Sequence, residues 1–285
     1  MQGKPRLNLG FETRRFGGEG PEAMAATTYT RAAIAGAIDH SVLQPQLTRE
    51  DARAAILAGR ELGAASCCVR PSDVELAAEL LAGSATAVST VIGFPHGSTT
   101  TEVKVLEARQ AVAAGALELD LVLNVARLRS GDLDYVQLDI ASVVAECAAR
   151  PGAFVKVILE CAYLDDAQKV AGCKAAEAAG AAFVKTSTGF AMGLPEGKAA
   201  GATVPDLRLM RASVSPKVRV KAAGGVRTLD AMLAVLGAGA TRVGATATKA
   251  ILAEFDARAP GGVLEVPPAA AGDAAAATAA PTNAY

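Results

Sequence analysis

Eight times along this chain a short apolar run of strand length gives way to a helix-length segment, and no hairpin signal falls between them. The runs lie at 38–43, 65–69, 87–94, 117–123, 154–160, 183–187, 218–223 and 241–243. Thr48, followed by Glu50 and Asp51, and Thr228 have the chemistry of helix N-caps, and Gly115 and Gly180 that of helix ends. Strands that alternate with helices pair in parallel, and eight such units predict a closed α/β barrel, the TIM (β/α)8 fold. A doubly wound sheet competes, but no Gly-x-Gly-x-x-Gly follows the first run. A short helix over 30–38 is expected to lead into the first strand. Residues 1–28, with glycines and charges and no periodicity, are expected to form a disordered extension in which Met24 is an alternative start. The barrel then occupies 29–257, and the Ala/Pro-rich segment 258–285 reads as a flexible tail.

Composition excludes several function classes. A formal net charge of -1 leaves no electrostatic footprint for nucleic acid. The apolar runs are too short to span a membrane, and no hydrophobic signal core opens the chain. Five cysteines make neither a zinc spacing nor a disulfide framework, which fits a reducing cytoplasm. Two histidines argue against a histidine metal site, so no metal is expected.

The chemistry concentrates in three of the runs. Phe183-Val184-Lys185-Thr186-Ser187-Thr188-Gly189-Phe190 carries a lysine at the end of a buried strand. Desolvation in an apolar run favours the uncharged amine that Schiff-base chemistry needs. Lys221 lies near the end of the next run and offers a second cation; a structural ion pair is the plainer reading for both lysines. In 117–123, Leu117, Leu119, Leu121 and Leu123 share one face while Glu118, Asp120, Val122 and Asn124 share the other, so the acids are expected to point into the barrel. Asp120 is a candidate proton shuttle, or a charge partner for Lys156 or Lys221. Spacing alone does not choose between Lys185 and Lys221 as nucleophile. Gly189, Gly224, Gly225 and Gly244 end late strands, where barrels commonly hold phosphate on backbone N–H groups. Cys67 and Cys68 read as buried filler; His96, in its loop, is a candidate for the site, with a structural hydrogen bond as the plainer reading.

Taken together, Ile38-Asp39-His40-Ser41-Val42-Leu43, Cys67-Cys68-Val69-Arg70-Pro71, Gly93-Phe94-Pro95-His96-Gly97, the lysine run and Lys221-Ala222-Ala223-Gly224-Gly225-Val226-Arg227-Thr228 resemble the deoxyribose-phosphate aldolase family. The resemblance implies reversible cleavage of 2-deoxy-D-ribose 5-phosphate to D-glyceraldehyde 3-phosphate and acetaldehyde. It implies no cofactor, because the iminium supplies the polarisation that a class II aldolase takes from zinc. Lys185 then matches the Schiff-base lysine, and Lys221 and Asp120 its partners in proton transfer through a water. Cys68, Thr188 and Lys156 line the site, and Gly189, Gly224, Gly225, Gly244 and Thr246 match phosphate contacts. Departures are Gln44 in place of a common lysine and Thr246-Ala247 in place of a serine pair. Some family members bring a C-terminal tyrosine to the site, which makes Tyr285 a candidate. Expected partners are aldehyde and sugar-phosphate substrates and, as in some relatives, a second copy in a homodimer. The alternatives are a Schiff-base barrel for another sugar phosphate and a non-catalytic sugar-phosphate-binding barrel.

Overall fold

The computed structural model describes residues 26–194 and 198–266. It opens with strand β1 (Thr27–Thr30), helix α1 (Arg31–Ala35), β2 (Ile38–Val42) and α2 (Arg49–Glu61). There follow β3 (Ser66–Val69), α3 (Val74–Leu80), β4 (Ala87–Ile92), α4 (Thr101–Ala114) and β5 (Glu118–Val122). Next come α5 (Val125–Arg129), α6 (Leu133–Cys147), β6 (Phe154–Ile158), α7 (Asp166–Ala178) and β7 (Phe183–Lys185). The chain continues through α8 (Val204–Ser213), β8 (Arg219–Ala223), α9 (Leu229–Gly237), β9 (Arg242–Ala245), α10 (Thr248–Arg258) and β10 (Val263–Val266). Strands β2 to β9 pair in parallel in chain order, and β9 returns to β2, which closes the expected barrel.

Local chemistry accounts for many of the boundaries. Thr48 and Asp51 form a reciprocal capping box at α2, and Asp165 and Gln168 form another at α7. Thr228 Oγ1 accepts from Ala231 N at 3.2 Å and starts α9. Gly115 ends α4 with φ of 117°, a conformation that only glycine adopts cheaply. The apolar layer lies between strands and helices. Leu119 and Leu121 of β5, Val155 and Val157 of β6 and Val184 of β7 enter it, so their strand neighbours face the barrel axis. The N-terminal ends of the strands close the floor: Phe154 and Phe183 stack with centroids 5.8 Å apart, and the Arg219 guanidinium lies 4.0 Å from the Phe183 ring.

Two expectations change. The extensions do not begin where composition suggests, since β1 and β10 pair antiparallel with Tyr29 opposite Leu264. Both side chains pack on the core, while Thr28 and Glu265, also opposite each other, are exposed. This alternation is that of an ordered two-stranded ribbon, and its partners lie at opposite ends of the sequence, so no local signal reveals it. Residues 1–25 and 267–285 of the expected extensions, Tyr285 among them, lie outside the described residues. The second change is α5, a short helix that comes before the one helix-length segment expected after β5: Asn124 Oδ1 accepts from Arg127 N at 3.1 Å and caps it.

His40 gives the fold a pH dependence. Its Nδ1 lies 2.8 Å from Thr248 Oγ1, tying β2 to the start of α10, and burial pushes its pKa below the usual histidine value. A base that the folded state resists protonating is protonated first in the unfolded chain. Stability is therefore retained above the unfolded histidine pKa, about 6.5, and lost as pH falls below it towards the lowered folded value. Urea midpoints measured between pH 7.5 and 5 should decline over that window in the parent chain, and His40→Gln should flatten the decline.

Candidate active site

Strand register assembles the site. Asp120 of β5 pairs with Lys156 of β6, Lys185 of β7 with Lys221 of β8, and Lys221 in turn with Arg242 of β9. Their side chains all point inward and meet the carboxylates of Asp39, Glu118 and Asp120. Asp120 Oδ2 lies 2.7 Å from Lys185 Nζ and 2.7 Å from Lys221 Nζ, and its Oδ1 lies 2.8 Å from Lys156 Nζ. Lys221 also pairs with Asp39. Lys156 reaches Glu118 at 2.6 Å and Asp39 at 3.3 Å. Arg242, at the base of the barrel, holds Asp39 at 2.5 Å and Glu118 at 3.1 Å. Ser66 Oγ donates to Asp39 Oδ1 at 2.6 Å.

The electrostatics sort these groups. Burial alone would raise the Asp120 carboxyl, but Lys156, Lys185 and Lys221 outweigh it and hold Asp120 well below the usual carboxylate range. Asp39 is held down in the same way by Lys156, Lys221 and Arg242. Burial opposes the charge on Lys156, yet Asp120, Asp39 and Glu118 raise it well above the ordinary lysine value. Lys156 is therefore a fixed cation, unfit as a nucleophile. Of the three lysines, Lys156 is paired with three carboxylates, Lys221 with two and Lys185 with one. Lys185 is also the most accessible of the three, at 4%. The apolar residues beside Lys185 in sequence do not surround its amine: Val184 faces the helices while the amine meets Asp120. Alternate residues of a strand face opposite sides, so the apolar run describes the layer behind the lysine rather than its surroundings.

Above the lysines, Ser41, Gly224, Gly225, Val226, Arg227, Gly244, Ala245 and Thr246 line a small cavity. Four of the expected phosphate contacts thus converge there, and Ser41 and Arg227 join them; Gly189 does not line it. Gly224 and Gly225 have φ of 83° and 84°. A side chain on Gly201 would stand 2.4 Å from Gly224 O, so two backbones meet at this edge. A methyl on Gly244 would lie 3.5 Å from Lys221 Cε, which sets this edge of the cavity beside the lysine centre.

One strand over from Ser41, its partner in register, Cys68 packs with Leu43, Val91, Phe94 and Phe190. Its thiol is raised by burial and by Asp120, and drawn back by Lys221, Lys185 and Lys156. Cys67 turns to the helix layer, where burial pushes its thiol up to about 12. His96 is exposed in its loop. Thr188 turns to Glu160: Glu160 Oε2 accepts from Thr188 N at 3.1 Å and from Thr188 Oγ1. Glu160 has φ of 56°, a left-handed backbone that costs a non-glycine residue about 1–2 kcal/mol. Among the described residues, no group of three His, Cys, Asp or Glu side chains is placed to hold a metal ion, and no helix is long and apolar enough to cross a membrane.

Two acids and an arginine sharpen the sequence picture. Asp39 and Arg242 are as central to the ion-pair ring as Lys221, and the alternation of their strands is the one sequence signal that could have marked them. Glu160 carries no sequence signal of its backbone.

Residues 33–254 match the model of the DeoC/LacD family aldolases. A deoxyribose-phosphate aldolase of Bacillus mycoides is 48% identical over 219 residues, spanning 77% of this chain and 94% of that protein. One of Caldanaerobacter subterraneus is 45% identical over 222 residues, 78% of this chain and 93% of that one. Among solved structures, a tetrameric deoxyribose phosphate aldolase of Aeropyrum pernix superposes with a TM-score of 0.71 at 29% identity, covering 80% of this chain and 92% of its own. An aldolase named QR15 gives a TM-score of 0.72 at 36% identity, covering 79% and 96%.

Proposed function

The chain belongs to the DeoC/LacD family of aldolases, and from that membership we propose that it is a class I deoxyribose-phosphate aldolase in which Lys185 forms the Schiff base. The reaction is the reversible cleavage of 2-deoxy-D-ribose 5-phosphate to D-glyceraldehyde 3-phosphate and acetaldehyde. The Lys185 amine adds to the C1 carbonyl of the open-chain sugar, and loss of water leaves an iminium. A base takes the proton of the C3 hydroxyl, the C2–C3 bond breaks, and its electron pair flows into the iminium to give an enamine. D-Glyceraldehyde 3-phosphate departs. Protonation of the enamine carbon makes the methyl group, and water then releases acetaldehyde and the free amine.

Asp120 and Lys221 move the protons, through a water, and Lys156 holds Asp120 in place. Backbone N–H groups at Gly224, Gly225 and Gly244, with Thr246, hold the phosphate, as the cavity above Lys221 allows. The observation that best supports these roles is that one oxygen of Asp120 lies 2.7 Å from both Lys185 and Lys221. One carboxylate can thus pass a proton between the covalent site and its neighbour. The reading includes a reducing cytoplasm, which suits the five free and buried thiols. It also includes a homodimer; Val103 and Leu106 on α4 and Leu138 on α6 leave apolar surface exposed for a second copy. Borohydride reduction with acetaldehyde should add an ethyl group to Lys185, located by peptide mass mapping. An adduct on Lys221, or none, would overturn the assignment.

A further inference from the structure

We propose that Glu160 is a positioning residue for choice of the donor aldehyde: it pins the loop after Lys185 so that Phe190 stands as an apolar wall beside the reactive amine. The proposal rests on the Schiff-base reading above and adds the means by which the site selects its donor.

Glu160 follows β6 and is buried, with 2% of its surface exposed. It is the one non-glycine residue with positive φ among the described residues. Backbone bonds on both sides fix that turn to the lysine strand: Leu159 N donates to Lys185 O at 2.9 Å, and Cys161 N donates to Thr186 O at 2.9 Å. A left-handed, buried acid persists where surrounding contacts over-determine it. Here the contacts run in a chain. Glu160 Oε2 accepts both the amide and the hydroxyl of Thr188, and Thr188 Oγ1 in turn accepts from Phe190 N at 2.9 Å. The Phe190 ring meets Phe94 edge to face, with centroids 5.3 Å apart.

Phe94 and Phe190 complete the apolar cluster of Leu43, Cys68 and Val91. Val91 of this cluster stands in register beside Asp120, and Cys68 beside Ser41, so the cluster borders the lysine centre. The alkyl end of an aldehyde bound to Lys185 then has an apolar surface to rest on, at a depth set by Phe190. Glu160 Oε1 is buried with no hydrogen-bond partner among the described residues, and burial raises the carboxyl. Such a group is costly to keep for packing alone. Its retained oxygen, Oε2, does the holding.

The test compares kcat/KM for condensation of D-glyceraldehyde 3-phosphate with propanal and with acetaldehyde. One added methylene in a fitted apolar pocket is discriminated by about tenfold or more. Glu160→Ala and Thr188→Val release Phe190 and should raise the propanal-to-acetaldehyde ratio by about tenfold. Glu160→Gln keeps an acceptor for both Thr188 donors, and Thr188→Ser keeps the hydroxyl, so both should hold the ratio within about twofold of the parent. A general loss of stability would depress both donors together and leave the ratio alone. If Glu160→Ala does not fold, Thr188→Val decides. An unchanged ratio in a folded variant that still forms the reduced acetaldehyde adduct on Lys185 overturns the proposal. Absence of that adduct in the parent chain overturns the Schiff-base reading, and this proposal with it.

Discussion

Lys185→Met should lower kcat for deoxyribose-phosphate cleavage by about 10⁴-fold or more and abolish the borohydride-trapped adduct, while the protein stays folded. Methionine fills much the same space without an amine, so no covalent intermediate forms. The fold should tolerate the change because of the charges around it. Lys156, Lys185, Lys221 and Arg242 face Asp39, Glu118 and Asp120. Removing the Lys185 charge leaves three cations against three carboxylates, and Asp120 keeps Lys156 and Lys221. Lys185→Arg should be equally inactive, since a guanidinium stays protonated and does not add to a carbonyl. Thermal melting and steady-state cleavage assays read both halves of the expectation. Activity within tenfold of the parent, or an adduct that moves to Lys221 at full rate, would mean that Lys185 is not the nucleophile.

What the sequence revealed of this site follows from the range over which each signal acts. The alternation in β5 is local, and it alone turned Asp120 inward. Caps at Thr48 and Thr228 and the glycine at Gly115 are local too, and they bounded the helices. Which cations share Asp120 is a different kind of fact. It depends on the register between β5, β6, β7 and β8, which the closed ring sets as a whole. For that reason the choice between Lys185 and Lys221 stayed open on spacing, and the differing numbers of carboxylates around them emerged only in three dimensions. Asp39 and Arg242 belong to β2 and β9, the two strands whose pairing closes the barrel, so their meeting is the least local of all. The ribbon of β1 and β10 was hidden for the same reason. Glu160 escaped notice on other grounds: its left-handed turn is imposed by tertiary contacts on a residue type that does not favour it.

Asp120→Asn should cost both activity and stability, and the two losses should be separable. The side chain keeps its shape, but the ring then holds four cations against two carboxylates. Removing one partner from a buried ion-pair network destabilises by about 3–5 kcal/mol. Proton transfer at the carbon next to the iminium loses its shuttle, and kcat should fall by about 10²–10⁴-fold. A second change distinguishes the causes. Lys156 is fully buried and pairs with Asp120, Asp39 and Glu118, so Asp120→Asn combined with Lys156→Met leaves three cations against two carboxylates and returns the ring to the parent's excess of one cation. The double variant should regain much of the lost stability, read as the urea midpoint, and little of the lost kcat. Recovery of both together would make Asp120 a structural counter-ion, and the acid that passes protons between Lys185 and Lys221 would have to be sought elsewhere. Recovery of stability alone would separate the two duties of this one carboxylate: Oδ1 anchors Lys156, and Oδ2 serves the pair of lysines at which carbon–carbon chemistry takes place.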